Sequence, residues 1–316
     1  VRAIALRLPA RPRRWVPVTA LVLVVLLAGI VGGTSIGFAT TSDETSAVRP
    51  PIGDSGEHAV LLVPGYAGEC CSEGADLRAR YPELLVEQYS YAGLDAEGRP
   101  LPHTGAATDA DLGSLADIMA AQVRALNDRT GRAVSVVAES EGTLVVATCL
   151  DRYPNVPIAR VMHLSPIVDA GRATFPDAGH QGRGLIAGYE LRFLGAIIDR
   201  LAPLSLGAEG PFLDSVRAEA GSLLTVEALE DSDVEQIVVV PLADAVVGPP
   251  QADYGVDAVV VPAFHGGLRD QPDVQDMIAQ WVDGERIGGS AMWMLLGRVI
   301  AGSASAWHVP ELGQYE

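Results

Sequence analysis

The stretch from residue 133 to 150, "AVSVVAESEGTLVVATCL", constrains the fold more than any other. A β-branched apolar run stops at Ala138, Ser140 stands between two glutamates, and Gly142 opens a second apolar run of helical character. Strand, sharp turn and helix in direct succession bring the two elements almost into contact at the turn. The positions two before and two after the serine must therefore be small, and here they are Ala138 and Gly142. The five-residue spacing alone says little, because small residues near serine are common. Its weight comes from the strand pattern before it and the helix pattern after it.

The rest of the chain repeats that alternation. "HAVLLVPG", "LLVEQYSYAG", "AVSVVA", "ARVMHLSP", "EQIVVVP" and "DAVVVPAF" read as short buried strands. "DADLGSLADIMAAQVRALNDRTG" places Leu112, Leu115, Ile118, Met119, Val123 and Leu126 at helical spacing, and Gly131 stops it. "PDVQDMIAQWVDG" closes the series as an amphipathic helix. Strands alternating with helices predict an α/β domain, its mostly parallel sheet covered on both faces, over about residues 57–285. The alternation breaks at about 170–233, where the sequence reads as helices outside the sheet. Lying between late strands, this insertion is placed as a helical cap.

The N-terminus has a different character. Five arginines (2, 7, 11, 13 and 14) precede an uncharged run from Trp15 to Ala39, which predicts a targeting segment over 1–39. The run is long enough for either an export signal, cut after the small-x-small Gly37-Phe38-Ala39, or an uncleaved membrane anchor through residues 15–39. Both place the remainder on the extracytoplasmic side, secreted or anchored, because the arginines stay inside. Residues 40–56 read as a polar, proline-bearing linker, and 286–316 as a C-terminal extension. In the extension Met292, Leu295, Leu296 and Val299 are expected to pack a helix on the domain rather than dock on a membrane surface, since only Arg298 there is basic.

Of the 316 residues 48% are hydrophobic, ample for a core, and the formal charge of -18 with no lysine argues against nucleic-acid partners. The three cysteines, Cys70, Cys71 and Cys149, leave one thiol over. Bridging of Cys149 to one of the adjacent pair and burial of Cys149 as a small core residue both stay open. No cysteine or histidine spacing suggests a metal.

A serine hydroxyl is a poor nucleophile until a base takes its proton, so the elbow calls for a histidine and an orienting carboxylate. His265, in "VVVPAFHGGL", follows the last strand, and the two glycines after it let the chain turn the imidazole over the sheet edge. Asp244, in "VVVPLADAVVGPP", follows the preceding strand and completes the order Ser, Asp, His; Asp169 is its main rival, ahead of Asp253 and Asp257. An oxyanion hole needs two backbone N–H donors. Glu141, after the nucleophile, supplies one, and Tyr66, in "LLVPGYAGE", the other. The side chains of Glu139 and Glu141 are expected to be tolerated, at most disfavouring anionic acyl groups.

Together "VLLVPGYAG", "VEQYSYAGL", "VVAESEGTLVV", "PLADAVVG" and "PAFHGGL" resemble the α/β-hydrolase superfamily, most closely its lipase and esterase-like members, over residues 57–285. Ala138 in place of the usual glycine and Pro64 in place of the common histidine depart from its pattern. The resemblance implies an eight-strand-type sheet, a Ser140–His265–Asp244 triad and no metal or organic cofactor. It implies acyl transfer through a covalent intermediate, with a small-molecule or lipid ester as substrate. An envelope acyltransferase or thioesterase using the same triad, and a non-catalytic anchored binding module, are the alternative functions.

Overall fold

The computed structural model describes residues 58–71, 74–168, 224–230, 232–243 and 254–296. The leader, the linker and nearly all of the expected cap lie outside them, as do Asp169, Asp244 and Asp253. Among the described residues six strands form one sheet: β1 His58–Val63, β2 Leu85–Gln88, β3 Ala133–Glu139, β4 Ile158–Leu164, β5 Glu235–Ala243 and β6 Asp257–Phe264. Their spatial order is β2-β1-β3-β4-β5-β6, and every neighbouring pair is parallel. The six strands correspond to the six segments read as strands, which bears out the mostly parallel α/β sheet.

A parallel sheet buries both faces, so its strands must be apolar throughout rather than alternating. In β1, Ala59, Leu61 and Val63 belong to the core on one face, and Val60 and Leu62 to the core on the other. The helices among the described residues include α1 Ala75–Arg80, α2 Leu112–Thr130, α3 Glu141–Arg152, α4 Val226–Glu230 and α5 Pro272–Val282. Helices α2 and α3 cover the first face through Leu115, Met119, Val123, Leu144 and Val145, all inaccessible to solvent. The second face is covered by α1 and α5, through Leu77, Val274, Ile278 and Trp281.

Local chemistry sets the helix ends. The Asp111 side chain accepts a hydrogen bond from the Ser114 N–H and caps α2, and Gly131, at φ 67°, terminates it in the left-handed conformation that glycine adopts without strain. Pro272 stands in the first turn of α5, where its missing N–H has no intrahelical partner to lose. Among the described residues no helix is long and apolar enough to cross a membrane.

One expectation changes. Residues 291–296 are helical, but Met292, Leu295 and Leu296 are exposed. Met294 meets the sheet instead, its sulfur accepting from the Val260 N–H at 3.3 Å. The amphipathic reading chose the wrong side of a helix too short for its periodicity to be decisive, and Val299 lies outside the described residues. Of the two readings left open for Cys149, burial is the one observed: Cys70 and Cys71 are joined to each other, and Cys149 is a free thiol inside the core, where burial pushes its pKa up to about 12.

Candidate active site

Among the described residues three non-glycine residues hold a positive φ: Ala67 at 60°, Ser140 at 53° and Ser165 at 48°. L-residues adopt that region at a cost of order 1–3 kcal/mol and keep it only where the surroundings over-determine it. Each lies just past the C-terminal end of a strand: Ala67 beyond β1, Ser140 beyond β3, Ser165 beyond β4. In a parallel sheet these ends share one edge, so the strain is gathered on the edge where open α/β sheets bind ligands.

Ser140 is the turn between β3 and α3. Its N–H donates to Leu164 O on β4 at 3.0 Å, and its own carbonyl accepts from the Thr143 N–H and hydroxyl at 2.9 and 2.6 Å. Close approach is what the flanking residues allow. A β-carbon on Gly142 would stand 2.7 Å from Val63 O and 2.9 Å from Pro64 O, and one on Gly65 would stand 3.0 Å from the Ser140 Cβ. Glycine at these two positions lets the end of β1 pass directly beneath the elbow.

His265 comes immediately after β6, and its Nε2 lies 2.9 Å from Ser140 Oγ. The structure thus brings together two of the three residues expected to act as a triad. Asp244 directly follows the last residue of β5, Ala243, and lies outside the described residues. A serine hydroxyl in hydrogen-bond reach of an imidazole is the arrangement that permits general-base activation.

The loop after β1 is held from three sides. Tyr91 Oη donates to Pro64 O at 2.6 Å, the Gly68 N–H to Gly65 O at 3.1 Å, and the Ala67 N–H to Thr108 Oγ1 at 3.0 Å. Tyr66 projects from it with 42% of its surface exposed. Burial of the phenol, with the nearby Asp109 and Glu141 carboxyls, raises the Tyr66 pKa. The Glu141 amide opens α3, where the first N–H groups of a helix have no intrahelical acceptor.

The two glutamates beside the serine are not bystanders on a solvated turn. Glu139 is 3% exposed; its Oε1 accepts from the Leu268 N–H at 3.0 Å and its Oε2 pairs with Arg269 at 3.3 Å. Glu141 is 1% exposed, and among the described residues neither carboxyl oxygen finds a hydrogen-bond partner. Burial first, then the Asp109 charge, holds the Glu141 carboxyl well above the ordinary carboxylate range. Among the described residues no group of three or more His, Cys, Asp or Glu side chains is placed to hold a metal.

The other described histidines lie elsewhere. His58, at the start of β1, faces Ser135 Oγ at 3.0 Å. His163, within β4, is fully buried against Gln236 Oε1 at 2.6 Å, and burial lowers its pKa to about 4. His103 packs edge-on against Tyr91. Tyr91, Thr108 and Glu139 were not marked by the sequence as supports of the site. Each acts through a residue far away in the chain, and only the "VEQYSYAGL" segment drew attention to Tyr91.

The structure is a parallel α/β sheet in which a left-handed serine between β3 and α3 meets a histidine brought to it from the end of β6, the layout that the resemblance to α/β-hydrolases leads one to expect. No protein-family model matches the chain, and no curated protein matches it. In structure it is similar to a metagenome-derived lipolytic enzyme of the LipS and LipT pair, with 14% identity over 72% of this chain and 94% of that one and a TM-score of 0.46. It is similar also to the esterase RhEst1 from Rhodococcus sp. ECU1013, with 17% identity, 74% and 93% coverage and a TM-score of 0.43. A third similar structure is olei00960, a hydrolase from Oleispira antarctica, with 16% identity, 72% and 92% coverage and a TM-score of 0.45.

Proposed function

We propose that the chain is an exported serine hydrolase that cleaves carboxylic esters, with Ser140 as nucleophile, His265 as base and Asp244 as the carboxylate that orients it. The observation that carries this reading is the 2.9 Å approach of His265 Nε2 to the hydroxyl of a serine held at φ 53°. Neither the strained backbone nor the histidine contact is needed to build the sheet. Their coincidence on one residue at the ligand-binding edge is what acyl transfer requires.

In the reaction Ser140 Oγ bonds to the ester carbonyl carbon as its proton passes to His265 Nε2. The tetrahedral oxyanion faces the amides of Glu141 and Tyr66, and collapse expels the alkoxide, which takes the proton from His265. Water then adds to the acyl-enzyme by the same path, releasing the acid and restoring Ser140. The five arginines before the uncharged run 15–39 support export, and an uncleaved run would keep the enzyme at the membrane. The apolar sequence of the cap insertion favours esters with an apolar acyl chain.

The test is turnover of nitrophenyl esters of increasing acyl length by the wild type and by Ser140→Ala, with and without an added alcohol. Hydrolysis that depends on Ser140 is the expected result, and the preferred length separates esterase from lipase. Product that forms mainly as the ester of the added alcohol would instead identify an acyltransferase. No turnover of any ester would contradict the reading.

A further inference from the structure

The base and the nucleophile come from distant strands. In the sheet, β6 lies three positions from β3, and the link from His265 to Leu268 is Gly266-Gly267. Both glycines are exposed and left-handed, at φ 81° and 70°, and a β-carbon at either would meet nothing within 4 Å. β6 holds His265 from its N-terminal side; the link on its other side is permissive, so there the placement depends on what holds the segment beyond it.

That segment is held by the residue next to the nucleophile. Leu268 is fully buried and gives its N–H to Glu139 Oε1 at 3.0 Å, while Arg269 pairs with Glu139 Oε2 at 3.3 Å. The Arg269 carbonyl accepts from Gln275 Nε2 at 3.2 Å, which carries the anchor into α5. A closed circuit results: Ser140 to Glu139 along the backbone, Glu139 to Leu268 through the carboxylate, Leu268 back to His265, and His265 Nε2 to Ser140 Oγ at 2.9 Å. The strained Ser140 backbone fixes one side of this circuit.

We infer that Glu139 is a positioning residue which, through Leu268 and Arg269, sets the distance between His265 and Ser140. This rests on the serine-hydrolase reading. Glu139 does not touch the reacting atoms; its effect is on the attack geometry, where a misplacement of about 1 Å costs roughly 100-fold in rate.

The experiment is a fluorophosphonate titration of the full chain as wild type, Glu139→Ala and Glu139→Gln. The end-point counts competent sites, the labelling rate reports reactivity per site, and kcat and KM for one ester are measured beside them. In Glu139→Ala the rate per site and kcat are expected to fall about 100-fold, with KM little changed and the end-point close to one per chain. Glu139→Gln keeps an acceptor for Leu268 and loses the ion pair, so it should recover part of the rate and stay about 10-fold slower than wild type. If Glu139→Ala fails to fold, Glu139→Gln decides alone. A rate per site within about twofold of wild type, even with a lowered end-point, would overturn the inference, because a merely structural role removes sites without slowing those that remain. Failure of the wild type itself to label would instead refute the hydrolase reading on which the inference stands.

Discussion

The space between Gly142 and Val63 has no room for a methyl group: a β-carbon at 142 would stand 2.7 Å from the Val63 carbonyl oxygen. The obstructing atom is backbone in a central strand, which a rotamer change cannot move. Gly142→Ala must therefore shift α3 away from β1 and take Ser140 with it. Overpacking of this kind costs about 1–3 kcal/mol. Urea unfolding should show a midpoint lowered accordingly, and ester turnover should fall by more than the loss of folded protein explains. Wild-type stability in Gly142→Ala would show that the elbow relaxes freely.

Glu141 gives stability a dependence on pH. Its carboxyl is held well above its ordinary value of 4.5, so the unfolded chain loses this proton first as pH rises. The contribution is complete below about 4.5 and is lost progressively above it, until the folded carboxyl also ionises. Glu141→Gln does not titrate. Thermal melts at pH 4, 6 and 8 should show the variant gaining on the wild type as pH rises, and a constant difference would refute the assignment.

His163 acts in the other direction. Its pKa is lowered to about 4 from the ordinary 6.5 by burial, which outweighs the Gln236 hydrogen bond. The folded chain therefore refuses a proton that the unfolded chain accepts. Stability from this group is complete above about 6.5 and is lost as pH falls to about 4, to the extent of about 3 kcal/mol. In His163→Asn that part of the acid-side loss should disappear, even though the variant starts from lower stability. Denaturant midpoints between pH 7 and 4 measure it.

The cysteines make a simpler forecast. Cys149 is free, inaccessible and raised to about 12, whereas Cys70 and Cys71 are bonded to each other. Without reductant, iodoacetamide at pH 8 should leave the native chain unlabelled and modify one thiol per chain in denaturant. Rapid labelling of the native protein would contradict the burial.

What was legible in the sequence follows from the range of each interaction. The strands and α2 were readable because burial on two faces writes uninterrupted β-branched runs and burial on one face writes helical periodicity, both local in the chain. The elbow was readable for the same reason, since strand, Ser140, Gly142 and helix are consecutive. His265 was found from its place after a strand and before two glycines. The role of Glu139 was not legible: its partner is 129 positions away, and a glutamate beside a turn serine looks like any solvated acid. Nor was the burial of Glu141, because only the packed structure shows that α3 directs this side chain inward. The exposed face of 291–296 failed for a third reason, that six helical residues leave the apolar stripe ambiguous.

Activation of the Ser140 nucleophile by His265 is directly measurable. The most direct measurement is stoichiometric labelling with a fluorophosphonate, the modified residue being located by peptide mass spectrometry in the wild type, Ser140→Ala and His265→Ala. One adduct per chain is expected on Ser140, none in Ser140→Ala, and labelling slowed by about 1,000-fold or more in His265→Ala. An adduct on another residue, or labelling that proceeds at the wild-type rate without His265, would contradict that activation.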